Sequence, residues 1–479
     1  MTARRTKIVA TLGPASSSPE IIEKLILAGM NVARLNFSHG EASDHRERTR
    51  LVRDLSAKHQ KYVAIMGDLQ GPKIRISRFK NSPVTLVEGQ LFTLSNTYPP
   101  DAGDNTIVGI DHAGLVADCH PGDELLLDDG RIVLKVEKVD DHAVHTTVIA
   151  GGPISNNKGI NRRGGGISAP SLTDKDKADI QTIAELDLDY VAVSFPRYGR
   201  DIIEARKLVR AAGSSAWIVA KIERAEAVAD DKALDALIKA SDGVMVARGD
   251  LGVEVGDARL VGIQKRIILH ARTHNKFVIT ATQMMESMIS SPIPTRAEVS
   301  DVANAVLDYT DAVMLSAESA AGRYPVEAVA AMDRVCLGAE QEPATTRSQH
   351  RVGETFSQRD ETIALSAMYA ANHYPGIKAI IALTESGHTP LIMSRIRSSV
   401  PIYCYTRHEH TQRRAAMFRG VYTVPFNITE HNILDVNQDA IKLLKDQGLL
   451  NNGDSVILTK GEHDNQAGGT NNMRILKVS

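Results

Sequence analysis

Lys221 and Glu223 lie two residues apart at the end of an apolar run, and Asp250 closes a second run after Arg248 and Gly249. A lysine and several acids held in apolar surroundings are costly unless they neutralise one another or share a cation. Glu223 and Asp250 are therefore the candidate ligand pair for a divalent metal. With hard oxygen donors and no His/Cys cluster, the expected ion is magnesium or manganese and not zinc. Two protein carboxylates leave coordination positions for substrate oxygens and water. Lys221 fits two roles, a Schiff-base amine or a fixed cation facing a transferring phosphoryl group. The adjacent acids oppose the depressed pKa that a Schiff base needs, which favours the second. Phosphoryl transfer asks chiefly for positioning and positive charge around the equatorial oxygens, and Arg34, Lys221 and the metal would supply it. At Gly249-Asp250-Leu251-Gly252, a strand-to-helix turn offers backbone N–H groups that could hold a carboxylate or phosphate.

The elements that must position these residues follow a recurring pattern: a short β-branched apolar run, then a helical stretch. Eight such runs occur, at 6–12, 31–37, 62–68, 189–195, 217–223, 243–250, 277–283 and 312–318. Alternating strand and helix argues for a parallel sheet, and eight repeats argue for a closed (β/α)8 TIM barrel. In such a barrel the C-terminal strand ends face the active site, and residues i and i+2 share a face. That rule puts Arg34, Asn36 and Ser38 on one face of the second run and Lys221 with Glu223 on one face of the fifth. Asp68, Asp250, Thr282, Ser316 and Glu318 close the third, sixth, seventh and eighth runs. A polar strand end near solvent is the ordinary explanation for any one of them. It does not explain a lysine and several acids converging on one mouth.

Between the third and fourth runs, residues 70–166 show no helical period, only short alternating runs punctuated by Pro-Gly, Asp-Gly and Gly-Gly pairs. A small β-barrel lid inserted into a barrel loop is expected there. Gly164-Gly165-Gly166 reads as the flexible return turn and not as a phosphate loop. A polar stretch at 341–358 precedes a helix at 360–372 and strands at 379–383, 402–405 and 455–458, which predict a separate open α/β domain. The expected division is thus barrel at 1–69 and 167–340, lid at 70–166, and C-terminal α/β domain at 341–479.

Bulk composition narrows the function classes. The 479 residues carry a formal charge of −2 without a basic block, so nucleic acid is not an expected partner. No stretch approaches the roughly 18 apolar residues of a membrane span. Cys119, Cys336 and Cys404 are far apart and make neither a metal spacing nor a disulfide framework. Arg4-Arg5 is not a twin-arginine signal, because Gly13-Pro14 interrupts the short apolar run behind it. A soluble cytoplasmic protein is expected.

Several segments resemble pyruvate kinases: KIVATLG at 7–13, NVARLNFSHG at 31–40, DLQGPKIR at 68–75, KIE at 221–223, GVMVARGDLGVE at 243–254, TATQMMESM at 280–288 and PTRAEVSDVANAVLD at 294–308. They come in family order and span the barrel. The resemblance implies transfer of the phosphoryl group of phosphoenolpyruvate to ADP, giving pyruvate and ATP in the last step of glycolysis. It implies Mg2+ (or Mn2+) on Glu223 and Asp250, and Lys221 and Arg34 on the phosphoryl group. The Gly249 and Asp250 amides would hold the pyruvate carboxylate. Thr282 would sit beside the enolate methylene, with proton delivery through water and Glu318. Asn36, His39 and Arg75 would face the nucleotide phosphates, under a closing lid. A homotetramer is implied as well.

One departure from the family stands out. Potassium-requiring members read Asp-Thr-Lys-Gly-Pro-Glu where this chain reads Asp68-Leu69-Gln70-Gly71-Pro72-Lys73. Leu69 removes an oxygen and Lys73 reverses a charge, so the Lys73 ammonium is expected to replace K+ in a site lined by Asn36, Ser38, Asp68 and Leu69. Thr384, Ser386, Gly387, His388 and Thr389 resemble the family's phosphate-gripping regulatory loop. The late loop at 461–470 lacks the tryptophan and arginine expected where fructose 1,6-bisphosphate is preferred. A sugar-monophosphate or nucleotide-monophosphate activator is the expectation. Two rival classes remain: a phosphoenolpyruvate- or oxoacid-using lyase on the same barrel, which would not need ADP, and a catalytically silent metabolite sensor.

Overall fold

A computed structural model describes residues 3–432, 434–461 and 469–479. Eight parallel strands, Lys7–Leu12, Val32–Asn36, Ala64–Asp68, Tyr190–Val193, Trp217–Ile222, Gly243–Ala247, Phe277–Ala281 and Ala312–Leu315, close into a barrel, the eighth pairing with the first. They read as near-continuous apolar runs because both faces of each are covered. Strand alternation carries the site. Val32, Ala64, Met66 and Val219 fill the barrel interior, so Arg34, Asp68 and Lys221, each two residues beyond an interior residue, point the same way. Alternate residues such as Ala33, Ile65 and Ala220 pack outward on the helices.

The helices begin and end where local chemistry dictates. Pro19–Ala28 starts at Ser18, whose side chain accepts from Ile21 N, and stops at Gly29 with φ +114°. The hydroxyl satisfies an orphan first-turn donor, and only glycine reaches that left-handed exit without strain.

The inserted segment forms a six-stranded sheet in the order Ile160–Arg162, Glu124–Leu127, Ile132–Val139, Ala143–Ala150, Leu91–Ser95, Ile107–Gly109, and a two-stranded one of Val84–Leu86 with Gly152–Ile154. Phe92, Leu94, Leu125 and Leu134 give it a core of its own. It also carries a helix, Gly114–Asp118, where the sequence shows no helical period. Five residues are too few to display one.

The C-terminal sheet has five strands in the order Val421–Pro425, Ile402–Thr406, Ile377–Leu383, Ser455–Gly461, Thr470–Lys477, the last antiparallel. It is plugged against the barrel base. Trp217 stacks on Phe418 with centroids 5.9 Å apart, and the barrel interior and the cluster around Ile380, Met393 and Phe418 form one continuous core. Arg395 clasps Asp311 with both side chains about 1% exposed, a buried pair whose rupture costs about 3–5 kcal/mol. Among the described residues no helix is long and apolar enough to cross a membrane.

Candidate active site

The mouth of the barrel holds a connected charge network. Arg34 Nε donates to Asp68 Oδ2 at 2.6 Å and its Nη1 to Thr11 Oγ1 at 3.0 Å. Lys221 Nζ lies 3.2 Å from Asp68 Oδ1, 3.1 Å from Glu223 Oε1 and 2.8 Å from Ser194 Oγ. Its hydrogen bond goes to Ser194, and the two carboxylates pair with its charge. Burial opposes charge on Lys221, but Asp68 and Glu223 outweigh it and hold its pKa above the ordinary lysine value. Burial likewise opposes ionisation of Asp68, yet Lys221 and Arg34 hold it below the usual carboxylate range. Glu223 goes the other way. Burial, against the pull of Lys221 and with the Asp250 carboxylate adding to it, pushes its pKa up. Glu223 and Asp250 are thus two acids close enough to repel, on hard-oxygen donors, a composition suited to a divalent cation. Among the described residues no group of three or more His, Cys, Asp or Glu side chains could hold a metal ion. The two-carboxylate set therefore fits only an ion that also binds substrate oxygens or water.

Backbone geometry re-aims several groups. Phe195 has φ +56°, and its N–H donates to Glu223 Oε2 at 2.7 Å. Ile279 and Ala281 point into the barrel, so plain alternation would turn Thr282 outward. Left-handed backbone at Thr282 (φ +66°) and Gln283 (φ +53°) breaks the strand instead. Thr282 Oγ1 then accepts from Gly249 N at 2.8 Å and donates to Ala281 O at 2.7 Å. A β-branched residue in that region is strained, and such strain concentrates at functional sites. Arg248 fixes the turn, donating to Thr282 O at 2.7 Å and to Asp301 Oδ1 at 2.7 Å. Asp250 sits in the first turn of the helix Arg248–Val255.

The expected residues do not all gather in one place. Arg34, Asp68, Lys221 and Glu223 interlock, and Thr282 bonds Gly249, whose N–H is therefore already engaged. Glu318 is buried and accepts from Ser316 N at 2.7 Å and Met285 N at 3.2 Å. Among the described residues it shares no hydrogen bond with Thr282. Asn36 accepts from Ser38 N at 3.1 Å, and His39 is exposed at the rim. Arg75 lies on the lid side, donating to Asn157 O at 3.0 Å. Lys73 Nζ reaches Asp250 Oδ1 at 3.0 Å, not Asn36, Ser38 or Asp68, and Leu69 is buried.

Two contributors escape the sequence reading. Ser194 holds Lys221 and also donates to Leu69 O at 2.7 Å. Its signal was available, since Ala192 points into the barrel and Ser194 follows it by two. Glu254 is buried beside Arg224 and Asn161, and burial, opposed by Arg224, pushes its carboxyl up to about 7. Nothing in the sequence pairs it with a residue of the lid.

In the C-terminal domain, 384–389 forms a turn between the strand Ile377–Leu383 and the helix His388–Met393. Thr384 Oγ1 accepts from Gly387 N at 3.1 Å, and Gly387 has φ +79°. Ser386 Oγ accepts from His388 N at 3.4 Å, and Thr389 Oγ1 lies 2.7 Å from Thr470 Oγ1. Glu385 pairs with Arg407 and His408. The late loop at 461–470 falls mostly on residues outside those described.

The same architecture occurs in known proteins. A family model described as pyruvate kinase, barrel domain, matches residues 3–329, and one described as pyruvate kinase, alpha/beta domain, matches 361–476. The first match runs through the inserted lid, which a lyase on this barrel would not need. The chain is 58% identical over 475 residues to "Pyruvate kinase II" of Salmonella typhimurium, covering 99% of each chain. It is 54% identical over 459 residues to a pyruvate kinase of Haemophilus influenzae, covering 96% of each. A crystal structure of a pyruvate kinase from Cryptosporidium parvum superposes with a TM-score of 0.92 at 34% identity, covering 99% of this chain and 96% of that one. With both halves of the chain matched and relatives alike along nearly its whole length, this phosphotransferase belongs to the pyruvate kinase family.

Proposed function

We propose that the cluster of Arg34, Lys221 and Glu223 is where the phosphoryl group passes from phosphoenolpyruvate to ADP. The observation that carries this is the Lys221 ammonium, kept charged by Asp68 and Glu223 and buried at the barrel mouth. Glu223 and Asp250 would hold magnesium (or manganese), which supplies charge neutralisation at phosphoryl and enolate oxygens when bound. Arg34 and Lys221 meet the equatorial oxygens as the P–O bond of phosphoenolpyruvate breaks and a β-phosphate oxygen of ADP forms the new one. Lys221 then faces the enolate oxygen. The Gly249-Asp250 turn orients the carboxylate, and Thr282 Oγ1 stands at the methylene that takes a proton to give pyruvate. Glu318, whose carboxyl oxygens accept from two backbone N–H groups, is the relay's outer end, through water. Asn36, His39 and Arg75 meet the nucleotide phosphates, and the lid at 70–166 excludes the water that would hydrolyse the phosphoryl group.

Potassium is not required on this reading. Leu69 offers no side-chain oxygen, and the Lys73 ammonium, held at the mouth by Asp250, would stand in for the monovalent ion once magnesium takes that carboxylate. In sodium- and potassium-free buffer with magnesium, phosphoenolpyruvate and ADP should give pyruvate at a rate comparable to that with potassium added. Activity only with potassium would refute the role of Lys73 and Leu69; silence with and without it would count against the site assignment.

The loop at 384–389 is the binding place for an activating sugar monophosphate or nucleotide monophosphate, its hydroxyls and N–H groups clustered after a strand. Adding either class should lower the half-saturating phosphoenolpyruvate concentration, and Ser386→Asp should remove that response. An unchanged response in the variant would place the activator elsewhere. Family membership supports a cytoplasmic homotetramer; a light-scattering mass near the 51.9 kDa of one chain would refute the assembly.

A further inference from the structure

The lid leaves and rejoins the barrel through two adjacent stalks, joined by Ile160 N donating to Ile74 O at 2.9 Å and by a bridge between Arg75 and Gly159. Both stalks dock on one short helix, Arg248–Val255. Asp250 and Glu254 stand four residues apart on it, so they occupy one face. The outgoing stalk reaches it through Lys73, bonded to Asp250 Oδ1 at 3.0 Å. Gly159 makes this reach possible, since a Cβ there would lie 2.8 Å from Lys73 Cε. The return stalk reaches it through Asn161, which donates to Glu254 Oε1 at 3.3 Å, and through Gly164 N, which donates to Glu254 O at 2.9 Å.

The two contacts differ in what else they do. Glu254 is fully buried and is anchored from the barrel side, accepting from Ala225 N at 2.8 Å and pairing with Arg224 Nε at 3.4 Å. It has no competing task. Lys73 and Asp250 are about a quarter and a fifth exposed, and Asp250 is one of the two carboxylates assigned to the divalent cation. A dication and an ammonium on one carboxylate repel each other. Lys221 can stay beside Glu223 because Asp68 and Ser194 also hold it. Asp250 is the one partner of the Lys73 ammonium among the described residues, so a dication at Asp250 displaces Lys73, whereas Glu254 keeps its partners.

We propose that the helix Arg248–Val255 is the lid's dock, with Glu254 a positioning residue that acts as a lasting pivot and the Lys73–Asp250 ion pair a latch that opens when Asp250 takes a divalent cation. The latch rests on the Glu223–Asp250 metal assignment; the pivot does not.

The test uses the full-length enzyme with Mn2+ alone, without substrates, read by electron paramagnetic resonance for binding and by amide hydrogen exchange for the stalks. In the wild-type chain Mn2+ should speed exchange at 73–76 and leave 160–166 unchanged. Lys73→Met should exchange quickly at 73–76 with or without Mn2+ and bind Mn2+ several-fold more tightly. Asn161→Leu, which leaves the barrel partners of Glu254 intact, should speed exchange at 158–166 in both conditions with Mn2+ affinity unchanged. Glu254→Gln, whose one amide oxygen can still accept from Ala225 N while its NH2 donates to the Oδ1 of a flipped Asn161 amide, should hold the return stalk where Glu254→Leu does not. Unaltered Mn2+ affinity in Lys73→Met would overturn the latch, provided Glu223→Gln binds Mn2+ more weakly. Full affinity in Glu223→Gln would overturn the metal pair itself. Unaltered exchange at 158–166 in Asn161→Leu would overturn the pivot.

Discussion

Lys221→Met should lower kcat by roughly 10³-fold or more, the scale on which a single fixed cation contributes to phosphoryl transfer. Methionine nearly matches the lysine stem in shape, so the change removes charge and little volume. What it leaves behind is two buried acids, Asp68 and Glu223, without their shared cation. Removing one partner of a buried pair is often worth about 3–5 kcal/mol of stability. Here the loss is smaller, for two reasons. Arg34 still donates to Asp68 at 2.6 Å, and Glu223, whose pKa burial already raises, can take up a proton. Circular dichroism and oligomer mass should therefore match the wild type while pyruvate formation collapses. Turnover within tenfold of wild type in the folded variant would refute the assigned role. A pre-steady-state burst of pyruvate equal to wild type would also refute it, because that would place the defect in product release.

The barrel and its chemistry were legible in the sequence for the same reason. A strand covered on both faces shows as an apolar run, and a charged residue at its end breaks that run visibly, as Lys221, Asp68 and Arg34 do. The C-terminal strand Thr470–Lys477 was not visible, because its residues are mostly half-exposed and polar, as suits an edge with no second face to bury. Val421–Pro425, the opposite edge, was missed likewise. Alternation also misplaces Thr282, since a left-handed backbone at a threonine has no sequence signature. The network around the lid was hidden by distance along the chain. Lys73 and Asp250 are 177 residues apart, and Asn161 and Glu254 are 93 apart. A lysine in place of a glutamate could be read as a charge reversal near the mouth. Which carboxylate it would meet is set by the path of the stalks, and Asp250, not Asp68, is the one within reach.

Glu223→Gln should weaken Mn2+ binding by at least ten- to hundredfold, the loss that follows even when an outer partner of a metal ligand is removed. The substitution is nearly isosteric, and its oxygen can still accept from Phe195 N, which now bonds Glu223 Oε2 at 2.7 Å. The strand end should therefore keep its shape, with the negative charge gone. Lys221 keeps Asp68 and Ser194 as partners, so its ammonium survives, and activity should return in part at high Mn2+. That partial rescue separates a ligand from a group acting directly on the phosphoryl: Lys221→Met should show none at any Mn2+ concentration. Acid titration offers a second separation. Burial, reinforced by Asp250, makes Glu223 hold a proton at higher pH than an ordinary glutamate. Protons then compete with the cation as pH falls, so wild-type Mn2+ affinity should decline on acidification. Glutamine has no proton to take, and the variant's affinity, though low, should vary less with pH over the same range. Equal slopes in the two proteins would show that Glu223 is not the carboxylate at which protons and Mn2+ compete.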